Sequence, residues 1–205
     1  MNRFVSVHIP KSAGTTWLKI LAGIYGDRFC HDNRDVPHDG AFHYPPMVER
    51  YHVIHGHFRA EKYRHLGWPV VTWLRHPIDR IVSQYEFQRT RPAKRRDVHT
   101  TCLVRARLSL VEFAQLKANA MTEVYLRGLA PEDLAFVGFQ DRFDADLRRF
   151  GAQAGVAIPA SYRSYKVRWR RADIRRVDLQ AVARIMRRDI QFYRDARRRA
   201  DGREA

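Results

Sequence analysis

The stretch FVSVHIPKSAGTTWLKIL, Phe4 to Leu21, decides the fold. An apolar run predicts a strand over Phe4–Ile9, and Pro10 stops it. From Thr15 apolar residues return at helical spacing, with Trp17, Ile20, Leu21 and Ile24 on one face of a helix over Thr15–Tyr25. Between them lies a turn made of Lys11, Ser12, Ala13, Gly14, Thr15 and Thr16. A strand that runs through a tight turn into a helix start presents backbone N–H groups and the positive end of the helix dipole to an anion. Gly14 lets the backbone approach a ligand, Thr15 and Thr16 add hydroxyls, and Lys11 adds a mobile positive charge. Helix capping would explain one hydroxyl. It does not explain the lysine, the glycine and the second threonine together, so the turn is expected to hold phosphate. A Walker A loop it is not, because the lysine precedes the glycine and no first glycine is present.

A second stretch, TWLRHPIDRIVSQYEF from Thr72 to Phe87, has the same build. Pro69–Leu74 is nearly continuously apolar, as a strand buried on both faces of a parallel sheet would be. Pro77 suits the first turn of a helix over Ile78–Arg89. Arg75 falls at the strand end and Ser83 about two turns into the helix. In a parallel sheet such strand ends face one crevice, where Arg75, Ser83 and the Lys11 turn can converge. Further strands are predicted over Tyr51–His55 and Ala135–Phe139. Helices are predicted over Ser109–Lys117, Ala120–Leu129, Arg142–Ala154 and about Asp173–Arg199, with a loop over Asp27–Pro46 and an irregular basic stretch over Arg89–Arg105. Strands alternating with helices imply a three-layer α/β fold, a P-loop-like parallel sheet flanked by helices. The length suits one domain over residues 1–200 with a polar tail at 201–205.

Basic residues outnumber acidic ones 38 to 22, giving a formal charge of +16, and only 6 of the 38 are lysine. An arginine-rich surface favours planar, bidentate recognition of phosphate, sulfate or carboxylate. The partner is therefore expected to be anionic: nucleic acid, an acidic lipid surface, a polyanionic glycan or a charged nucleotide. Apolar content of 45% excludes a disordered chain. No apolar run approaches the roughly 20 residues of a membrane span, and no signal peptide precedes Phe4. A soluble cytoplasmic chain is expected, with peripheral membrane association left open by the charge. Cys30 and Cys102 lack CxxC spacing and are expected to be idle thiols rather than a disulfide. His31, Asp32, Asp35, His38, Asp39 and His43 match no standard metal spacing, and no metal is expected.

With both phosphate stretches in hand, the chain resembles sulfotransferases that use 3′-phosphoadenosine-5′-phosphosulfate (PAPS). HIPKSAGTTW is similar to their 5′-phosphosulfate loop, and LRHPIDRIVSQYEF to their 3′-phosphate motif R-x-P-x-x-R-x-x-S-x-Y. The similarity is nearest to the carbohydrate branch of sulfotransferase family 2, which includes heparan sulfate 2-O-sulfotransferases. HGHF, His55 to Phe58, stands where that branch carries a catalytic histidine. FVGFQDRFDADLRRF, Phe136 to Phe150, resembles its VG-x-x-E-x-F segment, with Asp141 in place of the glutamate.

The resemblance implies that Lys11 contacts the bridging oxygen and 5′-phosphosulfate, and that Ser12, Ala13, Gly14, Thr15 and Thr16 cradle the 5′-phosphate. It implies that Arg75 and Ser83 hold the 3′-phosphate, with Lys166 and Arg168 as further candidates. His57, or its neighbour His55, would take the proton from an acceptor hydroxyl on a carbohydrate or glycolipid. His57 is favoured, and histidine's titration near neutrality suits the task. The eukaryotic relatives are membrane-anchored, so a bacterial enzyme is expected. A basic nucleic-acid-binding protein and a nucleotide kinase are the rival readings. Recognised nucleic-acid motifs and a Walker A loop are both missing.

Overall fold

Strand β1 (Phe4–Val7) is buried along its whole length, because it lies at the centre of a five-stranded sheet. The computed structural model describes residues 1–33, 42–90, 107–162 and 175–202. The other strands are β2 (Phe29–His31), β3 (Val53–Gly56), β4 (Val70–Leu74) and β5 (Leu134–Phe139). Their order is β2-β3-β1-β4-β5 and every pairing is parallel. From β1 the chain leaves towards β2, and from β4 towards β5. The strand order therefore reverses between β1 and β4, which is where open α/β sheets form a ligand crevice.

Both sheet faces are covered. On one, Trp17, Ile20 and Leu21 of α1 (Gly14–Tyr25) and Leu147 and Phe150 of α4 (Phe143–Ala154) pack on Phe4, Val53, Val71, Trp73 and Phe136. On the other, Phe192 and Ala196 of α6 (Arg187–Ala200) join Val5, Val7, Ile54, Leu74 and Phe139. Neighbouring strand residues thus alternate between two cores, and each fully buried large side chain contributes roughly 1.5–3 kcal/mol. A third cluster ties α2 (Pro77–Thr90), α3 (Leu110–Leu116) and α5 (Arg176–Ile185) through Ile81, Phe113, Val182 and Met186. This is the α/β sheet flanked by helices that the alternating pattern predicts.

Three local expectations are corrected. The loop over Asp27–Pro46 contains β2, a three-residue edge strand too short for any periodicity to register. Ala120–Leu129 is not a regular helix: a single π-turn spans Met121–Tyr125, closed by the Leu126 N–H to the Met121 carbonyl at 2.9 Å. Left-handed residues bound it, Asn119 at φ 46° and Gly128 at φ 73°. The long last helix is two, broken at Met186. There the Asn119 side-chain oxygen accepts from the Arg188 and Asp189 N–H groups at 3.2 and 3.3 Å, displacing carbonyls of the helical ladder. Cys102, Asp35, His38, Asp39, the Arg91–Arg96 run, Lys166 and Arg168 lie outside the described residues. No described helix is long and apolar enough to cross a membrane.

Candidate functional site

The turn after β1 carries two non-glycine residues in the left-handed region, Lys11 at φ 70° and Ala13 at φ 64°. Such residues cost of order 1–3 kcal/mol and cluster where function needs a fixed backbone. Ala13 is the residue before α1, and it has no side chain that could cap the helix. Capping therefore does not account for the loop's hydroxyls. Ser12 Oγ is buried, 1% exposed, and has no hydrogen-bond partner among the described residues. A left-handed residue followed by an uncapped helix turn is the concave N–H geometry that receives tetrahedral anions. Gly14 has no room for a side chain: a Cβ there would lie 1.7 Å from His8 Nε2.

The second stretch meets the first across the β1–β4 junction. Arg75 follows β4 immediately, and Ser83 is buried two turns into α2. Lys11 Nζ stands 4.0 Å from the centre of the Phe87 ring, one helical turn beyond Ser83. The two stretches, more than 60 residues apart, therefore touch at this contact. Arg80, the second arginine of the motif, does not face it. It is buried, donates to Gln84 Oε1 at 3.0 Å and lies 3.7 Å from Asp189.

The histidines are arranged by the sheet register. Ser6 pairs with His55 and Val7 with Gly56, which brings the end of β1 beside the HGHF turn. His55 is fully buried, its Nδ1 2.9 Å from Ser6 Oγ, and that hydroxyl also accepts from Trp17 Nε1 at 2.9 Å. Burial, followed by the nearby imidazoles of His31 and His57, lowers its pKa to about 3. His57 is partly exposed, and its Nδ1 lies 2.8 Å from the His8 carbonyl oxygen. A carbonyl can only accept, so Nδ1 carries the hydrogen, and the neutral ring has its lone pair on Nε2.

Sequence reasoning missed His8. Its ring stacks on His57 at 3.8 Å and on His55 at 5.1 Å, and His31 continues the column beyond His55 at 6.2 Å. Burial, with His57 and His55 beside it, holds His8 well below the ordinary histidine pKa. Its signal was its place at the strand end, just before the Lys11–Thr16 turn. Asp32 was also missed as a structural group. Its carboxylate accepts from Lys62 Nζ at 2.5 Å and Tyr63 Oη at 2.6 Å, all three buried. Its backbone N–H binds the His55 carbonyl at 2.9 Å, which braces the histidine turn. Among the described residues no group of three or more His, Cys, Asp or Glu side chains could hold a metal.

Fold and site together define an α/β protein in which the tight turn after β1 and the helix after β4 meet at the point where the strand order reverses. The chain belongs to the sulfotransferase family, whose model matches residues 1–130 and so takes in both stretches and the HGHF turn. No curated protein matches the chain in sequence. Among solved structures, mouse sulfotransferase SULT7A1 complexed with PAP aligns at 13% identity and a TM-score of 0.45. The alignment covers 89% of this chain and 63% of that one, so this chain spans less than two thirds of the other's length.

Proposed function

We propose that the protein transfers the sulfuryl group of PAPS to a hydroxyl, by in-line displacement with His57 as the base. The observation that carries this reading is the meeting of the two phosphate stretches, with Lys11 packed 4.0 Å from Phe87 on the helix that bears Ser83. In this assignment the backbone N–H groups of Ser12 to Thr16 hold the 5′-phosphate, with the Thr15 and Thr16 hydroxyls beside them. Arg75 and Ser83 hold the 3′-phosphate. His57 Nε2 accepts the proton of the acceptor hydroxyl as its oxygen forms the new O–S bond. The S–O bond to the 5′-phosphate breaks, and Lys11 offsets the charge that develops on the departing phosphate oxygen. Sulfuryl transfer resembles phosphoryl transfer, where positioning and charge stabilisation supply most of the rate. A positioned base adds roughly 10²–10⁴-fold. His55, buried and held neutral, is assigned to orienting the turn and not to the proton transfer. The acceptor is assigned to the carbohydrate or glycolipid class, on the resemblance of HGHF to the carbohydrate branch and on the basic charge of the chain.

The test is thermal unfolding with 3′-phosphoadenosine-5′-phosphate (PAP), ADP and ATP at equal concentration. At 100 times its Kd, PAP should stabilise by about 2.7 kcal/mol, a rise of roughly 5–10 °C for a chain of this size. ADP and ATP should give little. An equal shift with ATP would mean that Arg75 and Ser83 read no 3′-phosphate and would favour a kinase. No shift with any nucleotide, together with tight salt-sensitive binding of nucleic acid, would favour the nucleic-acid reading.

A further inference from the structure

We propose that His8 is a positioning residue that couples the phosphate loop to the base. This rests on the assignment of His57 as that base. Two contacts carry it. On one side the His8 ring fills the space over Gly14, so closely that a Cβ at position 14 would overlap it at 1.7 Å. On the other it stacks on the His57 ring, with centroids 3.8 Å apart and planes inclined by 22°. The same residue's carbonyl binds His57 Nδ1 at 2.8 Å, and its N–H binds the Gly56 carbonyl at 2.8 Å. His8 therefore grips His57 twice, by its backbone and by its ring. The carbonyl selects the tautomer only while the stacked ring keeps His57 in the plane that faces it, so loss of the ring would free both the tautomer and the position of Nε2.

The wedge has a mechanical consequence. The loop cannot move at Gly14 without moving the His8 ring, and that ring cannot move without releasing His57. An anion seated on the loop thus tightens the base, although base and loop share no covalent neighbour. Geometry of this kind separates a poised base from an imidazole that samples several orientations. The stack requires a flat ring at position 8: an aliphatic side chain could fill the volume but could not offer a parallel face to His57.

Ring-nitrogen NMR of the uniformly ¹⁵N-labelled full chain tests this without any acceptor. His57 is assigned by the loss of its signals in His57→Gln. In the wild type, His57 should show a single tautomer with Nδ1 protonated and Nε2 bare, and its signals should shift when PAP is added. In His8→Ala the tautomers should average and the response to PAP should vanish, while PAP still raises the unfolding temperature. His8→Phe should restore both, because it returns a flat ring. Gly14→Ala, pushing on His8 from the loop side, should disturb His57 without touching it, which keeps the test available if His8→Ala does not fold. An unchanged His57 tautomer in His8→Ala, or no recovery in His8→Phe, would overturn the wedge. The measurement without nucleotide stands alone, so a protein that ignores PAP would overturn the nucleotide assignment and leave the tautomer result to decide the wedge.

Discussion

At the scale of single residues, two histidines two positions apart in sequence live in different solvents. His57 is at the rim, whereas His55 is sealed under α1 between Ser6 and the other imidazoles. Alternation puts both on one sheet face, but depth separates them, and depth is a property of what covers the strand. The difference has a consequence for stability. His55 binds its proton at about 3 in the fold and near 6.5 when unfolded. Between those values the unfolded chain holds the extra proton, so stability should be intact above about pH 6.5 and fall as the pH is lowered towards 3. The slope from this one imidazole approaches 1.4 kcal/mol per pH unit. Urea unfolding of wild type and His55→Gln across that range checks it: the variant should lose less stability on acidification, and parallel curves would refute the assignment.

At the scale of elements, the helices are locked by polar groups that have nothing to do with the crevice. Asp189, buried at the start of α6, accepts from the Met121 and Thr122 N–H groups at 3.2 and 2.9 Å and lies 3.7 Å from the Arg80 guanidinium of α2. Burial pushes its carboxyl up and the Arg80 guanidinium down, the cost of placing two charges in a core. One carboxylate therefore ties α2, the π-turn and α6 together. Removing it leaves Arg80 buried without compensation, so Asp189→Ala should cost about 3–5 kcal/mol in denaturant unfolding. The double change Arg80→Met with Asp189→Leu should recover much of that. A loss under about 1 kcal/mol for Asp189→Ala would show that the pair is not structural.

For the molecule as a whole, the charge of +16 is a repulsive load on the native state. Several arginines are already paired, Arg142 with Asp146 and Asp201 and Arg197 with Asp141 among them. Acidic residues are too few to pair the rest. Compact states of high net charge destabilise themselves, and salt relieves this as the Debye length falls from about 30 Å at 0.01 M to about 8 Å at 0.15 M. Over that range sodium chloride should raise the unfolding temperature. A fall would mean that the surface ion pairs outweigh the repulsion.

How much of this was legible in the sequence follows from the range of each interaction. The β1–loop–α1 unit, the proline-started α2 and the buried β4 were all readable. Periodicity, turn chemistry and caps act within a few residues, and so they are written where they act. The break at Met186 was not readable, because its cause is Asn119, 69 and 70 residues from the N–H groups it captures. Nor was the role of His8, which meets His57 across 49 positions only because β1 and β3 are neighbours in register. By itself the sequence determined an α/β sheet with a tight strand-to-helix turn at its first strand and a proline-started helix after a buried strand. Tertiary structure alone decided which histidine is sealed, which keeps a lone pair at the rim, and what holds it there, since burial and ring stacking exist only once distant strands lie side by side.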